Sequence, residues 1–433
     1  MHWLLIGYMF LFVHRPFEVW PALGDLRVER IYMLLTLAAW ATVAPKRWLP
    51  NAQHFAYALF ASAVLVAWVL SPWMDRSQPL VEDYFKVLVF YVLLVTCVHD
   101  ERGLKRVVVG FLGVMGLYLT HSLREYVGGR HVYRMGIARL IGVDSTMGDP
   151  NSFGASVVFA LPFVVALWRA GVGGKRGRVL LSGYVGLSVV CILLTGSRSS
   201  LLGLLFWAGL LLLRVRRRFL YLGLMLALAP AAFLALPESL QTRFETIINP
   251  DVGPENAKES GEGRVLGLLT GLDLWGANPL TGVGPGAWRP ATRSTIESHN
   301  LYGQLVGELG TLGLVGFLAV LAGFWANWRA VRRVRRTYPE WENDLTFQVA
   351  GAVGTGVLLL LFMGNFGHNL FRYSWLWYGG FLIVARHCVE LRVREAEWDE
   401  AVAETEPDEE EWPDGWEEHA AHLAPAGPRV GAI

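Results

Sequence analysis

Long apolar stretches recur along the whole chain, and they restrict its possible folds more than any other feature. Leu301 to Trp325 is almost wholly apolar and, as a helix, is long enough to cross a bilayer. Hydrophobic residues make up 53% of the 433 residues and the mean hydropathy is +0.37, values typical of a protein with many membrane helices. The sequence therefore predicts an all-α polytopic membrane protein.

About twelve stretches are candidate transmembrane helices, and the first and last are interrupted by charged or aromatic residues. They are Trp3 to Val19, Ile31 to Ala44, Phe55 to Leu70, Phe85 to Val98, Val107 to Leu119, Phe153 to Trp168, Val179 to Thr195, Leu201 to Leu213, Phe219 to Leu236, Leu301 to Trp325, Phe347 to Met363 and Trp375 to Ala385.

The connecting loops alternate in charge, which predicts their sides. Five basic loops fall on one face, cytoplasmic by the positive-inside rule: Lys46-Arg47, Arg102 to Arg106, Lys175 to Arg178, Arg214 to Arg218 and Arg329 to Arg336. Both termini are then cytoplasmic. A large extracytoplasmic loop, residues 237–298, precedes the tenth span of a transmembrane domain at 1–388, and an acidic tail at 389–433 is expected to be disordered.

Composition also excludes several classes. The net charge of +1 comes from short basic loops and an acidic end, so nucleic-acid binding has no support. Three cysteines lie in or beside apolar segments and show neither a disulfide framework nor zinc spacing. The apolar N-terminus lacks a small-residue cleavage site, so a removed signal peptide is not expected.

Thr281 to Phe317 joins a polar loop to a membrane helix. Three glycines and Pro285 within Gly282 to Gly286 predict a turn. Ser298 is placed to cap the following helix. His299 is then expected where water, lipid headgroups and the first turn of that helix meet. Four glycines then offer a small-residue surface for close packing by another helix: Gly303, Gly307, Gly310 and Gly313.

This segment resembles the signature of the O-antigen ligase and O-antigen polymerase superfamily, through the glycine turn and Trp288, His299-Asn300, Glu308-Leu309-Gly310 and Leu312-Gly313. The resemblance implies a bacterial glycosyltransferase of surface polysaccharide (lipopolysaccharide) biosynthesis in the cytoplasmic (inner) membrane. Its donor is expected to be an undecaprenyl-diphosphate-linked glycan. Its acceptor is expected to be lipid A-core-like, a protein or another glycan, and no cofactor is expected.

Arginines on the outer face break the usual charge bias, and Arg198 is the most informative of them. The helix after it, Ser199 to Leu213, is roughly 22 Å long against roughly 30 Å of hydrocarbon. Either this helix includes residues from Arg214 onward, or Arg198 is drawn below the outer surface into a cavity; the remaining alternative is that Arg198 snorkels to headgroups. In the superfamily a similar Gly-Ser-Arg-Ser turn supplies an arginine to the donor site. The family also has an arginine before the Pro279 to Gly284 turn, where Arg264 matches; its alternative is an ordinary interfacial residue.

Other residues are assigned supporting places. Asp149 or Asn151 is expected to cap a helix at the cavity rim, and Asn300, Arg289 and Arg293 support the site. Glu308 is interpreted as a buried structural partner to another helix. His368, Asn369 and Arg372 are expected on the outer face as secondary candidates, with an interfacial role preferred to a catalytic one.

Residue chemistry agrees with transfer from a diphosphate. Arginine offers a permanent charge and a planar fork for phosphate, and histidine titrates near working pH and suits a general base at His299. The outer loops contain no Asp-x-Asp, so metal-independent, inverting displacement is predicted. Ligase and polymerase remain open, and a transporter or flippase for an anionic lipid-linked substrate and a structural scaffold are the alternatives.

Overall fold

Helices form nearly all the regular structure in the computed structural model, which describes residues 1–42, 45–134, 137–146, 148–249 and 255–405. The helices in these ranges are α1 (His2–Val13), α2 (Pro16–Val19), α3 (Pro21–Asp25), α4 (Val28–Thr42), α5 (Ala52–Val69), α6 (Met74–Cys97), α7 (Glu101–Val127), α8 (Pro150–Arg169), α9 (Gly174–Leu194), α10 (Arg198–Leu212), α11 (Arg218–Leu234), α12 (Glu238–Glu245), α13 (Glu255–Ala277), α14 (Trp288–Thr292), α15 (Leu301–Thr337), α16 (Leu345–Gly364) and α17 (Ser374–Thr405). A short antiparallel pair, β1 (Val132–Arg134) and β2 (Ile137–Arg139), and a 3-10 helix at Pro339–Asn343 complete the list.

Six helices are long and apolar enough to cross a membrane by length and composition: α5, α7, α8, α9, α15 and α16. Each coincides with an expected span. Two further expected spans, α10 and α11, are apolar but shorter, and the remaining four do not meet both conditions in the described ranges. The all-α membrane class is therefore confirmed, whereas a total of twelve spans remains a prediction.

Several expected boundaries were wrong. The first expected span, Trp3 to Val19, is divided into α1 and α2, because Pro16 begins a new short helix. α7 continues to Val127, past Leu119, the last residue of the expected span. The chain divides into units at Met1–Val389 and Glu390–Ile433, close to the expected boundary, but α17 is helical to Thr405. The prediction of disorder from 389 is thus wrong for 389–405, and residues 406–433 lie outside the described ranges.

The core of the first unit is packed with aromatic side chains. Trp377 is fully buried and its ring lies 4.9 Å from that of Phe90 and 4.4 Å from that of Tyr373. Phe163 contacts Phe111 and Phe381 in the same region. Around this core, α16 packs on α8, and α15 packs on α5 and on α16, so the ends of α8, α15 and α16 lie near one another.

α15 is interrupted at Gly310, whose φ of 60° and ψ of −155° are not helical and are suited to glycine. The glycine-rich turn and the residues just before it supply hydrogen-bond partners to the backbone groups left free by this interruption. Its Val283 and Gly284 amides donate to the Gly307 and Glu308 carbonyls at 2.9 Å, and the Thr311 amide donates to the Pro279 carbonyl at 2.9 Å. Irregular backbone within a membrane helix is tolerated where other protein groups satisfy it in this way.

α13 packs closely along the first part of α15 through glycines on both helices. A Cβ added at Gly303 lies 2.9 Å from the Gly267 carbonyl carbon, and one at Gly307 lies 3.2 Å from the Gly271 Cα. The predicted small-residue surface is confirmed at these two positions, while Gly310 instead interrupts the helix. α13 itself begins at Glu255; the side chains of 255–262 lie outside the description.

Candidate functional site

A small cavity of about 40 Å³ lies where the beginnings of α8, α10 and α15 meet the end of α16. Polar and aromatic side chains dominate its lining, with three apolar or small residues among them. The lining residues are Asp149, Asn151, Ser152, Ala155, Ser199, His299, Met363, Phe366, Gly367, His368 and Asn369.

Two histidines face each other in this cavity. His299 is half-buried in the loop before α15, and its ring centroid lies 5.7 Å from that of His368. Although the His368 ring is open to the cavity, the protein around it disfavours the charged form and lowers its pKa to about 4. His299, Arg372 and Arg289 lower this pKa further, whereas Asp149 opposes them. His368 is therefore neutral near pH 7 and can accept or donate a hydrogen bond.

The start of α8 forms one wall. The Asp149 carboxylate accepts hydrogen bonds from the Asn151 and Ser152 amides at 3.0 and 3.2 Å, which confirms the predicted cap and selects Asp149 for it. The Asn151 side-chain oxygen accepts instead from Ser197 Oγ at 2.8 Å and Arg139 Nη2 at 3.2 Å. Asn151 thus ties α8 to the turn that carries Arg198.

The two arginines proposed for donor binding lie near each other beside this cavity. Arg198 is half-buried next to Ser199, and its Nη1 donates to the Thr246 hydroxyl at 3.1 Å. The Arg264 guanidinium lies 5.1 Å from the centre of the Phe366 ring. Burial, followed by the charge of Arg198, lowers the pKa of Arg264 to about 10, so both remain positive near pH 7.

The glycine packing of α13 sets the position of Arg264 relative to His299. Gly267, one turn after Arg264, lies against the loop before α15: a Cβ there comes within 3.4 Å of Ser298 Oγ and 3.6 Å of the His299 amide nitrogen. Since backbone faces backbone at this crossing, small movements of α13 are transmitted directly to the arginine.

The cap of α15 differs from the expectation. Asn300, not Ser298, is the capping residue, because its side-chain oxygen accepts from the Tyr302 and Gly303 amides at 2.9 and 3.0 Å. Buried Ser298 donates to the Asn300 carbonyl at 3.1 Å. Asn300 therefore supports His299 through the backbone rather than by lining the cavity.

Glu308 is fully buried, as predicted, but its partner is the glycine-rich turn rather than another helix. Its Oε2 accepts from the Gly286 amide at 2.9 Å and from Gln304 Nε2 at 3.2 Å. The side chain thereby fastens the turn to α15, on a part of the helix away from the cavity lining.

The arginines of the 289–293 segment are not brought into the lining. Arg289 Nε pairs with Glu297 at 2.9 Å on a largely exposed side chain, although its charge reaches His368. Arg293 is exposed and ends α14 with a left-handed φ of 55°. Their predicted supporting role stays a prediction.

Three residues interpreted as interfacial lie inside the protein or the cavity. His368 and Asn369 are lining residues, and Arg372 is buried, with Nη2 donating to the Ser152 carbonyl at 2.9 Å. Burial lowers the pKa of Arg372. Sequence spacing gave no signal for this contact, because the segment between α16 and α17 reaches the cavity only through the packing of α16 on α8.

Within the described ranges, no group of three or more His, Cys, Asp or Glu residues is placed to hold a metal ion. Metal independence stays a prediction.

These features define a class: a multi-helix membrane protein with a histidine-lined cavity and two arginines beside it. Residues 183–318 match the family described as O-antigen ligase. This match supports the O-antigen ligase superfamily that the sequence resembles, over a segment that contains Arg198, Arg264 and His299. A search of curated proteins gave no significant match.

Proposed function

We propose that this protein transfers a glycan from an undecaprenyl-diphosphate-linked donor to an acceptor hydroxyl at the outer face of the cytoplasmic membrane. The family match supports a glycosyltransferase of the O-antigen ligase or polymerase type. The observation that carries the proposal is the position of Arg198 and Arg264 as electrostatic neighbours beside the cavity that His299 lines.

In the proposed reaction the acceptor oxygen attacks the anomeric carbon of the donor. The new carbon–oxygen bond forms as the bond to the diphosphate breaks, and the diphosphate leaves with the electron pair. Arg198 and Arg264 stabilise the negative charge that grows on it, because forked guanidinium groups fit phosphate oxygens. Attack opposite the leaving group inverts the anomeric centre.

His299 takes the proton of the acceptor hydroxyl. A general base of this kind contributes about 10²–10⁴-fold to a rate. Neutral His368, 5.7 Å away between ring centroids, adds no positive charge that would disfavour protonation of His299. Asp149 caps α8 and, with its charge, favours the imidazolium that forms nearby.

The test is reconstitution of the full-length protein in proteoliposomes with a fluorescent polyprenyl-diphosphate glycan and a candidate acceptor. The proposal is supported if wild type and His131→Ala form a product that joins glycan to acceptor at similar rates and His299→Ala forms it about 10²–10⁴-fold more slowly. His131 is an exposed histidine outside the cavity. Movement of intact donor across the bilayer without product would favour a flippase instead. A lipid or protein acceptor against a glycan acceptor separates ligase from polymerase.

A further inference from the structure

A second and larger cavity, of about 380 Å³, lies at the opposite ends of the helices that form the first. In α8, Asn151 lines the first cavity and Arg169 the second, roughly 27 Å apart at 1.5 Å per residue. Likewise α16 contributes Met363 to the first and Phe347 to the second. The separation is close to the thickness of a bilayer core.

Positive charge dominates the second cavity. Arg169, Arg214, Arg332 and Arg335 line it, with Glu342 as the one acidic lining residue. Arg335 pairs with Glu342 at 3.7 Å, which leaves three arginines in excess over the acid. Partial burial, followed by the charges of the other three arginines, lowers the pKa of Arg214, as expected for a cluster that attracts an anion.

A polar donor without a partner also lines this cavity. Trp207 is 6% exposed, and its indole Nε1 is buried with no hydrogen-bond partner among the described residues. Buried indole N–H groups usually find an acceptor. The positive-inside rule accounts for arginines in a cytoplasmic loop, but it does not account for a cavity or for this unpartnered donor.

The lining changes character along the helices. The arginines come from helix ends, since Arg169 ends α8 and Arg214 follows α10. On α8 and α10 the lining residues one or two turns further in are apolar, namely Pro162, Val165, Trp207 and Leu211. On α16, Ala350 lies beside polar Gln348 and Thr355, and Thr355 Oγ1 accepts from Arg214 Nη1 at 3.1 Å. Such a lining suits a molecule with an anionic group at one end and an apolar chain at the other.

We propose that this cavity binds a phosphate ester, and that its bearer is an anionic lipid of the leaflet opposite the first cavity. Arginine forks hold phosphate oxygens in bidentate pairs, and basic pockets between membrane helices on the cytoplasmic side bind anionic headgroups. The indole of Trp207 donates to an ester or phosphate oxygen. Soluble phosphate or pyrophosphate has the same charged group but no chain for the apolar wall.

The test measures lipid retention by native mass spectrometry on the purified full-length protein titrated with phosphatidylglycerol or phosphatidylcholine. Wild type is expected to retain phosphatidylglycerol preferentially. Arg214→Gln combined with Arg332→Gln is expected to weaken retention by about 25-fold, at about fivefold per arginine near the surface. Arg333→Gln, an exposed neighbour on α15 outside the lining, is the matched control.

A second variant separates binding from folding. Trp207→Phe keeps an aromatic ring and removes the N–H, and it is expected to weaken retention about threefold without lowering the unfolding temperature much. Pyrophosphate that competes with wild type as strongly as the lipid does would assign the cavity to a soluble ligand and overturn the lipid assignment. Equal retention of both lipids, or variants that behave as Arg333→Gln does, would overturn the site.

Discussion

Substitution of Gly271 by alanine tests whether the close approach of α13 to α15 positions Arg264. A Cβ at Gly271 lies 2.6 Å from the Gly303 carbonyl carbon, whereas two carbon atoms ordinarily approach to about 3.5 Å. The helices must therefore separate by about 1 Å, because the obstacle is backbone and cannot rotate away. A displacement of this size from reacting geometry costs about 10²-fold in rate.

Glycosyl transfer in nanodiscs is the assay, with thermal unfolding measured in parallel. Overpacking is expected to destabilise Gly271→Ala by about 1–3 kcal/mol. Gly276→Ala is the matched control, since it lies on the same helix, gains the same helix propensity, and its Cβ meets nothing within 4 Å. If Gly271→Ala transfers as fast as Gly276→Ala while both are folded, the packing does not position the arginine.

Three further predictions concern the turn, the helix interruption and the second histidine. Gly310→Ala is expected to lower the unfolding temperature, because alanine is strained at a φ of 60°. The control Gly351→Ala in α16, whose added Cβ meets nothing within 4 Å, is expected to change the unfolding temperature little. Equal changes in unfolding temperature for the two variants would contradict the helix interruption at Gly310. Glu308→Gln keeps an acceptor for the Gly286 amide and should retain most activity. Glu308→Leu leaves that amide unpaired and should lower the free energy of unfolding by about 1–3 kcal/mol. Identical unfolding temperatures of the two variants would show that Glu308 does not fasten the glycine-rich turn. The pKa of His368 is lowered to about 4 in the folded protein, so as pH falls the unfolded chain protonates His368 before the folded protein does. Wild type should therefore lose stability relative to His368→Asn as pH falls from about 6.5 towards 4. A difference in unfolding temperature that stays constant over this range would refute a neutral His368 imidazole.

Much of the fold follows from hydropathy alone. The six helices that meet the length and composition conditions were all expected, because an apolar run of that length has few other stable forms in a membrane. The errors in predicted boundaries lie at helix ends, where the apolar run stops but the helical backbone hydrogen bonds continue. α7 extends to Val127 and α17 to Thr405 through polar residues, which hydropathy cannot distinguish from loop.

The interruption of α15 could not be predicted for a different reason. Glycine is common in membrane helices, and Gly303 and Gly307 remain helical while Gly310 does not. What distinguishes Gly310 is the Pro279–Gly284 segment, which bonds to the released carbonyls and amides. That partner is close in space only after the loop has folded.

The candidate site was recovered in part for the same kind of reason. Arg198 lies within a Gly-Ser-Arg-Ser turn and His299 at a helix entry, whereas Arg264 was found only through its resemblance to a superfamily arginine upstream of the glycine-rich turn. His368 and Asn369 carry no such signal. They reach the cavity because α16 packs on α8, a long-range contact that spacing within one sequence does not encode.

The central claim is that Arg198 and Arg264 hold the donor diphosphate while His299 acts in the chemical step. The most direct measurement determines the donor Kd and the single-turnover rate of His299→Ala and Arg198→Lys in nanodiscs, each shown to be folded by thermal unfolding. We expect His299→Ala to bind donor as wild type does and to react about 10²–10⁴-fold more slowly. Arg198→Lys should keep its charge yet bind donor more weakly, since lysine lacks the bidentate fork. Full turnover by His299→Ala, or unchanged binding and turnover by Arg198→Lys, would contradict the account.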